Sequence, residues 1–288
     1  MSIKLELQNV TYYYGKGTAF EVKALDNVSF AVKERSITGL IGHTGSGKST
    51  LAQLFNGLEK PTEGKVLLDG ADIWDKKYKG GRLCFRVGLV MQYPEYQLFE
   101  ETVFNDIAFG PRNKGMPEDE VKQLVMDAVS FVGMTPEILE QSPFDLSGGQ
   151  KRRVAIAGIM AMQPEVLVLD EPAAGLDPAG RAGRADIFAG IKRYRDTTGA
   201  SVIIISHSME DMAEYCDDVI VMHKGKVMLT GPKDSVFADS DKLVAAGLDI
   251  PQITRVMRLL KENGLDVDAS VCTKDQAVAE LIRAFKLK

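Results

Sequence analysis

The chain has 288 residues, 45% of them hydrophobic, with a formal net charge of −5 and a sequence pI near 5.4. That length suits one large domain with a smaller appendage. The acidic balance argues against non-specific nucleic-acid binding, which needs a basic face to displace phosphate counterions. Cys84, Cys216 and Cys272 are far apart without metal-ligand spacing, as expected of reduced thiols in a reducing compartment, and the three histidines do not cluster along the chain. Residues Met1 to Glu6 lack the apolar run of a signal peptide, and no later run approaches the ~20 residues that cross a bilayer. The chain is therefore expected to be soluble by itself and to reach a membrane only through a partner.

Residues 3 to 10 alternate, with Ile3, Leu5 and Leu7 opposite Lys4, Glu6 and Gln8, and a second apolar run covers Leu25 to Val32. This predicts two strands joined by a turn around Gly15 and Gly17. Between the runs, Tyr12, Tyr13 and Tyr14 read first as strand packing, with stacking on a base as the alternative. The apolar stretch Ile37–Ile41 predicts a buried strand that runs into Gly42-His43-Thr44-Gly45-Ser46-Gly47-Lys48-Ser49-Thr50, a fit to the phosphate-cradling P-loop. A triphosphate wrapped by backbone N–H groups needs the sharp bends that Gly42, Gly45 and Gly47 allow. Lys48 would then set its charge on the β- and γ-phosphates, Ser49 would offer its hydroxyl to Mg²⁺, and the helix after the loop would aim its positive end at the anion.

That helix is expected over Thr50–Leu58, with Leu51, Leu54, Phe55 and Leu58 on one face and Pro61 as its stop. Gly64–Gly70 reads as a strand ending in an Asp-Gly turn, and Val87–Met91 as a strand leading into Gln92, a functional amide or simply a hydrogen-bonded loop residue. From Pro94 the chain mixes acids with large apolar groups, and residues 117 to 132 form an amphipathic pattern opened by Pro117. This helical insertion either fills its own core with those apolar groups or offers Phe99, Phe104 and their neighbours as a groove for a partner's helix. Leu146-Ser147-Gly148-Gly149-Gln150 opens another helix, as a second anion site or only as a good helix cap. Val166–Leu169 predicts a buried strand delivering Asp170 and Glu171 to the edge where open α/β sheets place ligands. Asp170 suits Mg²⁺-bound water, and Glu171 a water attacking the γ-phosphate. Ala174–Pro178 reads as a turn, and the strand Ser201–Ile205 delivers His207, whose place favours a γ-phosphate contact over a purely structural role. Val219–Met222 and Lys226–Leu229 form a hairpin with His223 exposed at its turn. Beyond Pro232 two helices are predicted, with stripes at Ile253, Val256, Met257, Leu260 and at Val278, Leu281, Ile282, Phe285.

Taken together, Gly42–Ser49, Gln92, Leu146–Gln150, Asp170-Glu171, Asp177 and His207 stand in an order that resembles the ATP-binding subunits of ABC transporters over about residues 1 to 235. The resemblance implies an α/β P-loop NTPase fold: a mixed sheet, an antiparallel β subdomain, a helical subdomain inserted at about 94–162, and a C-terminal helical extension over 236–288. It further implies ATP and Mg²⁺, with Gln92 in the Q-loop and near the metal, Asp177 in the D-loop, His207 as the switch histidine and Tyr14 stacked on adenine. Ala173 departs from the Thr or Ser usual after Glu-Pro, at a position that is not an expected ligand.

A narrower likeness, carried by Pro94–Val103, Ala108–Asn113 and Val154–Gly158, is to the ATPases of energy-coupling factor (ECF) transporters, which import vitamins and cobalt or nickel ions. The Phe99-Glu100-Glu101-Thr102-Val103 wording is similar to the second of that family's two ATPase types. This resemblance implies a subunit at the cytoplasmic face with three partners: a second, usually non-identical ATPase, a transmembrane coupling protein docked near Gln92–Phe109, and a membrane substrate-capture protein. Nucleic acid is not among them. The alternatives are another ABC importer or a soluble ABC ATPase, and the latter would carry two cassettes or a long coiled-coil insertion.

Overall fold

The computed structural model describes residues 2–75, 82–174 and 181–286, the last segment without the side chains of 181–183. Asp177 and most of the turn after Ala174 lie outside the described residues. Strands β1 (Ile3–Tyr14) and β2 (Val22–Lys33) pair antiparallel, and β1 pairs on its other edge with β4 (Glu63–Leu68). The short β5 (Ala71–Asp72) completes an antiparallel sheet ordered β2-β1-β4-β5. Asp69 and Gly70, at φ +51° and +72°, make the tight Asp-Gly turn between its last two strands.

The second sheet is mixed. It joins β3 (Ile37–Gly42), β6 (Val87–Val90), β7 (Val166–Asp170), β8 (Ser201–Ile205), β9 (Asp218–His223) and β10 (Lys226–Pro232) in the order β10-β9-β3-β8-β7-β6. All its pairs are parallel except the β9–β10 hairpin. Strands β3, β7 and β8 are buried along their whole length, which is why they read as unbroken aliphatic runs.

Because successive side chains leave a strand on opposite faces, each run feeds two cores. Leu40, Val168 and Ile203 pack with Leu5, Leu7 and Val66 of the antiparallel sheet and with Leu51 and Phe55 of α1 (Lys48–Phe55). Ile41, Leu167, Leu169 and Ile204 face the opposite core. That core takes in α2 (Val103–Asn113), α3 (Glu118–Phe131), α4 (Gly148–Ala161), α5 (Arg181–Thr198) and α6 (Met209–Tyr215).

Three expectations are revised. Helix α1 starts at Lys48 rather than Thr50 and ends at Phe55, stopped by Asn56 and by Gly57 at φ +74°, well before Pro61. Among the described residues beyond Pro232 there are four helices: α7 (Lys233–Ala238), α8 (Ser240–Ala245), α9 (Gln252–Glu262) and α10 (Lys274–Phe285). The first two bury Val236, Phe237 and Leu243 in the main core. On α10 the predicted stripe splits: Ala277, Leu281 and Ala284 pack toward Met257 and Val267, while Val278, Ile282 and Phe285 are exposed.

Candidate functional site

Strands β3, β6, β7 and β8 run parallel, so their C-terminal ends open on one edge. A pocket of about 400 Å³ lies there. Thr44, Gly45 and Gly47–Thr50 form its floor, Gln92, Asp170, Glu171 and His207 enter from three strand ends, and Tyr14, Val22, Lys23 and Ala24 close the remaining wall.

The loop after β3 is shaped by glycine. A Cβ at Gly42 would sit 2.5 Å from the Met222 carbonyl oxygen, and Gly47 holds φ +103° as the residue capping α1. Since Gly47 has no side chain, α1 begins without a side-chain cap, which leaves first-turn amides for an anion. Lys48 is only 7% exposed and folds back so that Nζ donates to the carbonyls of Gly42 (2.6 Å) and His43 (3.1 Å). Burial pulls its pKa down against the opposing charges of Asp170 and Glu171.

Asp170, 9% exposed, has its pKa pushed up by burial and by the neighbouring Glu171, partly offset by Lys48, His207 and a hydrogen bond with Ser49. Glu171 sits at φ +52°, a left-handed conformation costly for a side-chain-bearing residue. Neighbouring bonds hold it there: its N–H donates to Ile205 O at 2.9 Å, and its Oε1 accepts the His207 N–H at 2.9 Å. The Ser206 hydroxyl reaches Oε2 at 3.4 Å, and His207 Nε2 lies 3.7 Å from Oε1. Glu171 and His207 are thus fixed to one another at the exits of β7 and β8.

The tyrosines divide. Tyr12 is buried and donates to Glu59, Tyr13 lies under Lys16 and Lys23, and Tyr14 stands at the pocket rim with its hydroxyl 3.0 Å from Thr50 Oγ1. His43 and Ser46 belong to the loop but do not line the pocket; Ser46 is fully buried. The His43 ring meets His223 edge-on at 5.1 Å, and its Nδ1–H donates to Thr44 O at 2.7 Å. His223 is therefore half-buried rather than an exposed turn residue, and two of the three histidines come together in space.

Ser147, Gly148, Gly149 and Gln150 stand apart from this pocket. Ser147 caps α4 in a complete capping box: its Oγ accepts the Gln150 N–H, and Gln150 Oε1 accepts the Ser147 N–H at 3.0 Å. Ser147 and Gly148 are exposed, and a Cβ at Gly148 would meet open space. In the insertion the aliphatics Val103, Ile107, Val121 and Val125 are core and Phe104 packs half-buried against it, whereas Tyr96, Phe99 and Phe109 remain exposed.

Sequence reasoning passed over Val22, Lys23 and Ala24. Only the pairing of Val22 with Tyr14 across the first hairpin would have pointed to them. Ser49, Gln92 and Asp170 offer hard oxygen donors in the pocket lining, with Ser49 hydrogen-bonded to Asp170. Among the described residues no cluster of three or more His, Cys, Asp or Glu forms a metal cage. This donor set fits Mg²⁺, which keeps waters and shares substrate phosphates.

The ABC transporter family profile matches residues 25–174. The chain is 49% identical over 286 residues to the energy-coupling factor transporter ATP-binding protein EcfA2 of Caldanaerobacter subterraneus subsp. tengcongensis, covering 99% of this chain and 98% of that one. It is 50% identical over 289 residues to the protein of the same name from Clostridium tetani, covering 100% and 99%. Among solved structures, cbiO1 from Clostridium perfringens, part of the ABC transporter complex cbiONQ, is 36% identical with a TM-score of 0.75, covering 90% of this chain and 100% of that one. The dimeric ATP-binding cassette MJ0796 bound to ADP and Pi is 26% identical with a TM-score of 0.69, covering 80% and 98%.

Fold and relatives together define an ATP-binding cassette, the expected α/β P-loop architecture. The chain belongs to the ABC transporter family, and within it to the ATP-binding proteins of energy-coupling factor transporters. It is an ATPase whose hydrolysis is coupled to transport, working in a complex with other subunits. Among the described residues no helix is long and apolar enough to cross a membrane.

Proposed function

We propose that this chain supplies one half of each of two ATP sites in a transporter that takes up vitamins or cobalt or nickel ions. The observation that carries the reading is the division of its motifs. Thr44, Gly45, Gly47–Thr50, Gln92, Asp170, Glu171 and His207 share one pocket, while Ser147–Gln150 lies outside it, already capped and with Ser147 and Gly148 exposed. In the proposed pair, each chain's Ser147-Gly148-Gly149 turn covers the other's pocket, so hydrolysis requires pairing.

Within the pocket, Tyr14 stacks on adenine, the Gly42–Thr50 amides wrap the phosphates, and Lys48 turns its ammonium from its own carbonyls to the β- and γ-phosphates. Ser49, Gln92 and, through water, Asp170 would hold Mg²⁺, which would supply charge neutralisation at the phosphate oxygens. Glu171 orients the attacking water and accepts its proton, while His207 contacts the γ-phosphate. ATP closes the pair, and the charge repulsion created by hydrolysis reopens it. The segment from Gln92 to Phe109, with Tyr96, Phe99 and Phe109 exposed, receives the transmembrane coupling protein on the cytoplasmic face. The capture protein joins through that subunit. The 236–288 extension takes part in pairing with a second, non-identical ECF-type ATPase, which suits the exposed Val278, Ile282 and Phe285.

Purification from membranes tests this directly. The chain should bring down a second ATPase, a coupling protein and a capture protein, and Phe99→Ala with Phe104→Ala should weaken the coupling-protein yield while nucleotide binding persists. Full ATPase activity from the unpaired chain would overturn the shared-site reading.

A further inference from the structure

Arg152 is the one arginine in the described core: it is 3% exposed, one turn into α4 from the Ser147 cap. Its Nε lies 3.3 Å from Oε2 of Glu95, yet neither atom is aligned for a hydrogen bond, and Arg152 Nη2 has no partner either. The guanidinium also sits 6.0 Å from the centre of the Tyr93 ring. Tyr93 comes directly after Gln92, holds a left-handed φ of +60°, and starts the short 3-10 helix Pro94–Gln97 that carries Glu95.

A buried guanidinium with one poorly aligned partner is a weak stabilising device, since apolar side chains of similar volume often serve a fold as well or better. What the pair does is join two segments. One begins at Gln92, in this chain's own pocket; the other is the helix whose first residues are Ser147–Gln150. We propose that Glu95 and Arg152 are positioning residues that tie Gln92 to the Ser147–Gln150 turn of the same chain, so that the two shift together. The inference rests on the shared-site reading above. Under it, Gln92 senses the nucleotide in one pocket while Ser147–Gln150 completes the other, and the Glu95–Arg152 contact becomes a direct mechanical route between the two ATP sites. Since Tyr96 lies in the same 3-10 helix, Phe99 follows it and both are exposed, a membrane partner pressing there reaches both sites through one contact.

The test uses the assembled transporter with Glu171→Gln in this chain, which silences its own pocket and leaves turnover at the pocket that its Ser147–Gln150 turn completes. Into that background go Arg152→Met, Glu95→Gln and the pair together, with co-purification verifying assembly. Each single change should lower the remaining turnover by about tenfold, within the range for contacting groups of one network, and the double change should lower it no further than the larger single one. ATP affinity of this chain's own pocket should stay within about twofold, and the melting midpoint of Arg152→Met should not fall. Arg152→Lys keeps a cation beside Glu95 and should retain most of the turnover. Effects that multiply in the double variant overturn the link, as does an unchanged rate in Arg152→Met, or a loss in Arg152→Lys equal to that in Arg152→Met and matched by a lower melting midpoint. Full-rate hydrolysis by the unpaired wild-type chain defeats the shared-site reading instead, so the two failures are separable.

Discussion

Strand β7 is bracketed by two carboxylates, Glu165 just before its start and Asp170 at its end, roughly 17 Å apart at the usual ~3.3 Å per residue. They have opposite fates. Glu165 accepts from Arg86 at 2.5 and 2.7 Å and also from Lys4, and these cations, Arg86 foremost, hold its carboxyl down at about 2. Through Lys4 and Arg86 the network extends to Asp69, so it joins the antiparallel sheet to the entrance of the mixed one. At the exit, burial raises the pKa of Asp170 and lowers that of Lys48, pushing both groups toward neutrality. The entrance is a completed ion network. On the proposed reading the exit holds charges whose full compensation would arrive with the phosphates and cation of the substrate, so that one strand would serve stability at one end and chemistry at the other.

This contrast is broken most severely at the exit. On the proposed reading, Glu171→Gln preserves shape and removes the proton acceptor, so turnover at this chain's own pocket should fall by roughly 10²–10⁴-fold, leaving the assembled transporter only the turnover of the other pocket, while ATP binding persists and the closed pair is longer-lived. Steady-state ATPase and size-exclusion profiles in ATP measure both, and near wild-type turnover would remove Glu171 from its role. Lys48→Ala should act on binding itself, raising the Kd for ATP by roughly 10–100-fold, as expected for a charge-assisted contact of about 1.5–3 kcal/mol. Because the Lys48 ammonium is desolvated in the folded chain, the variant's melting midpoint should hold or rise. A variant that binds ATP normally but melts well below wild type would turn Lys48 into a fold residue and erase the difference between the two ends.

Much of this exit was legible in the sequence because strong local rules converge there. The runs Ile37–Ile41, Val166–Leu169 and Ser201–Ile205 are too apolar for anything but buried strands, and each hands its polar residues to the same edge once the strands are parallel. The stripe on α10 misled because its packed face is made of Ala277 and Ala284 with Leu281, and alanines weigh little in a hydrophobic pattern beside Val278, Ile282 and Phe285. Likewise α7 and α8 are too short to show a period, so their burial of Phe237 and Leu243 went unread. His223 was hidden for another reason. Its packing partner, His43, is 180 positions away, and turn residues are exposed unless a distant element covers them. Nor does any local pattern say that Ser147–Gln150 faces away from the pocket its neighbours in motif order build, because that separation is set by the packing of α2, α3 and α4.

The smallest expected effect lies at the entrance of β7. Glu165 has a folded-state pKa near 2 against an ordinary 4.5, so its contribution to stability is fully present above pH 4.5 and is lost as pH falls toward 2. Its side chain is 40% exposed, and solvent screening keeps such pairs to about 1 kcal/mol or less, roughly 2 °C in melting midpoint for a chain of this size. Glu165→Gln should therefore melt slightly below wild type at neutral pH, with a constant gap down to about pH 5 that closes as acid protonates the wild-type carboxylate. Salt should narrow the gap as well, since the network is only partly shielded from solvent. Thermal melts across this range read the effect without any nucleotide. Parallel curves, with no convergence in acid, would mean that Glu165 acts through its shape and hydrogen bonds rather than its charge, and the entrance would then differ from the exit by packing alone rather than by electrostatics.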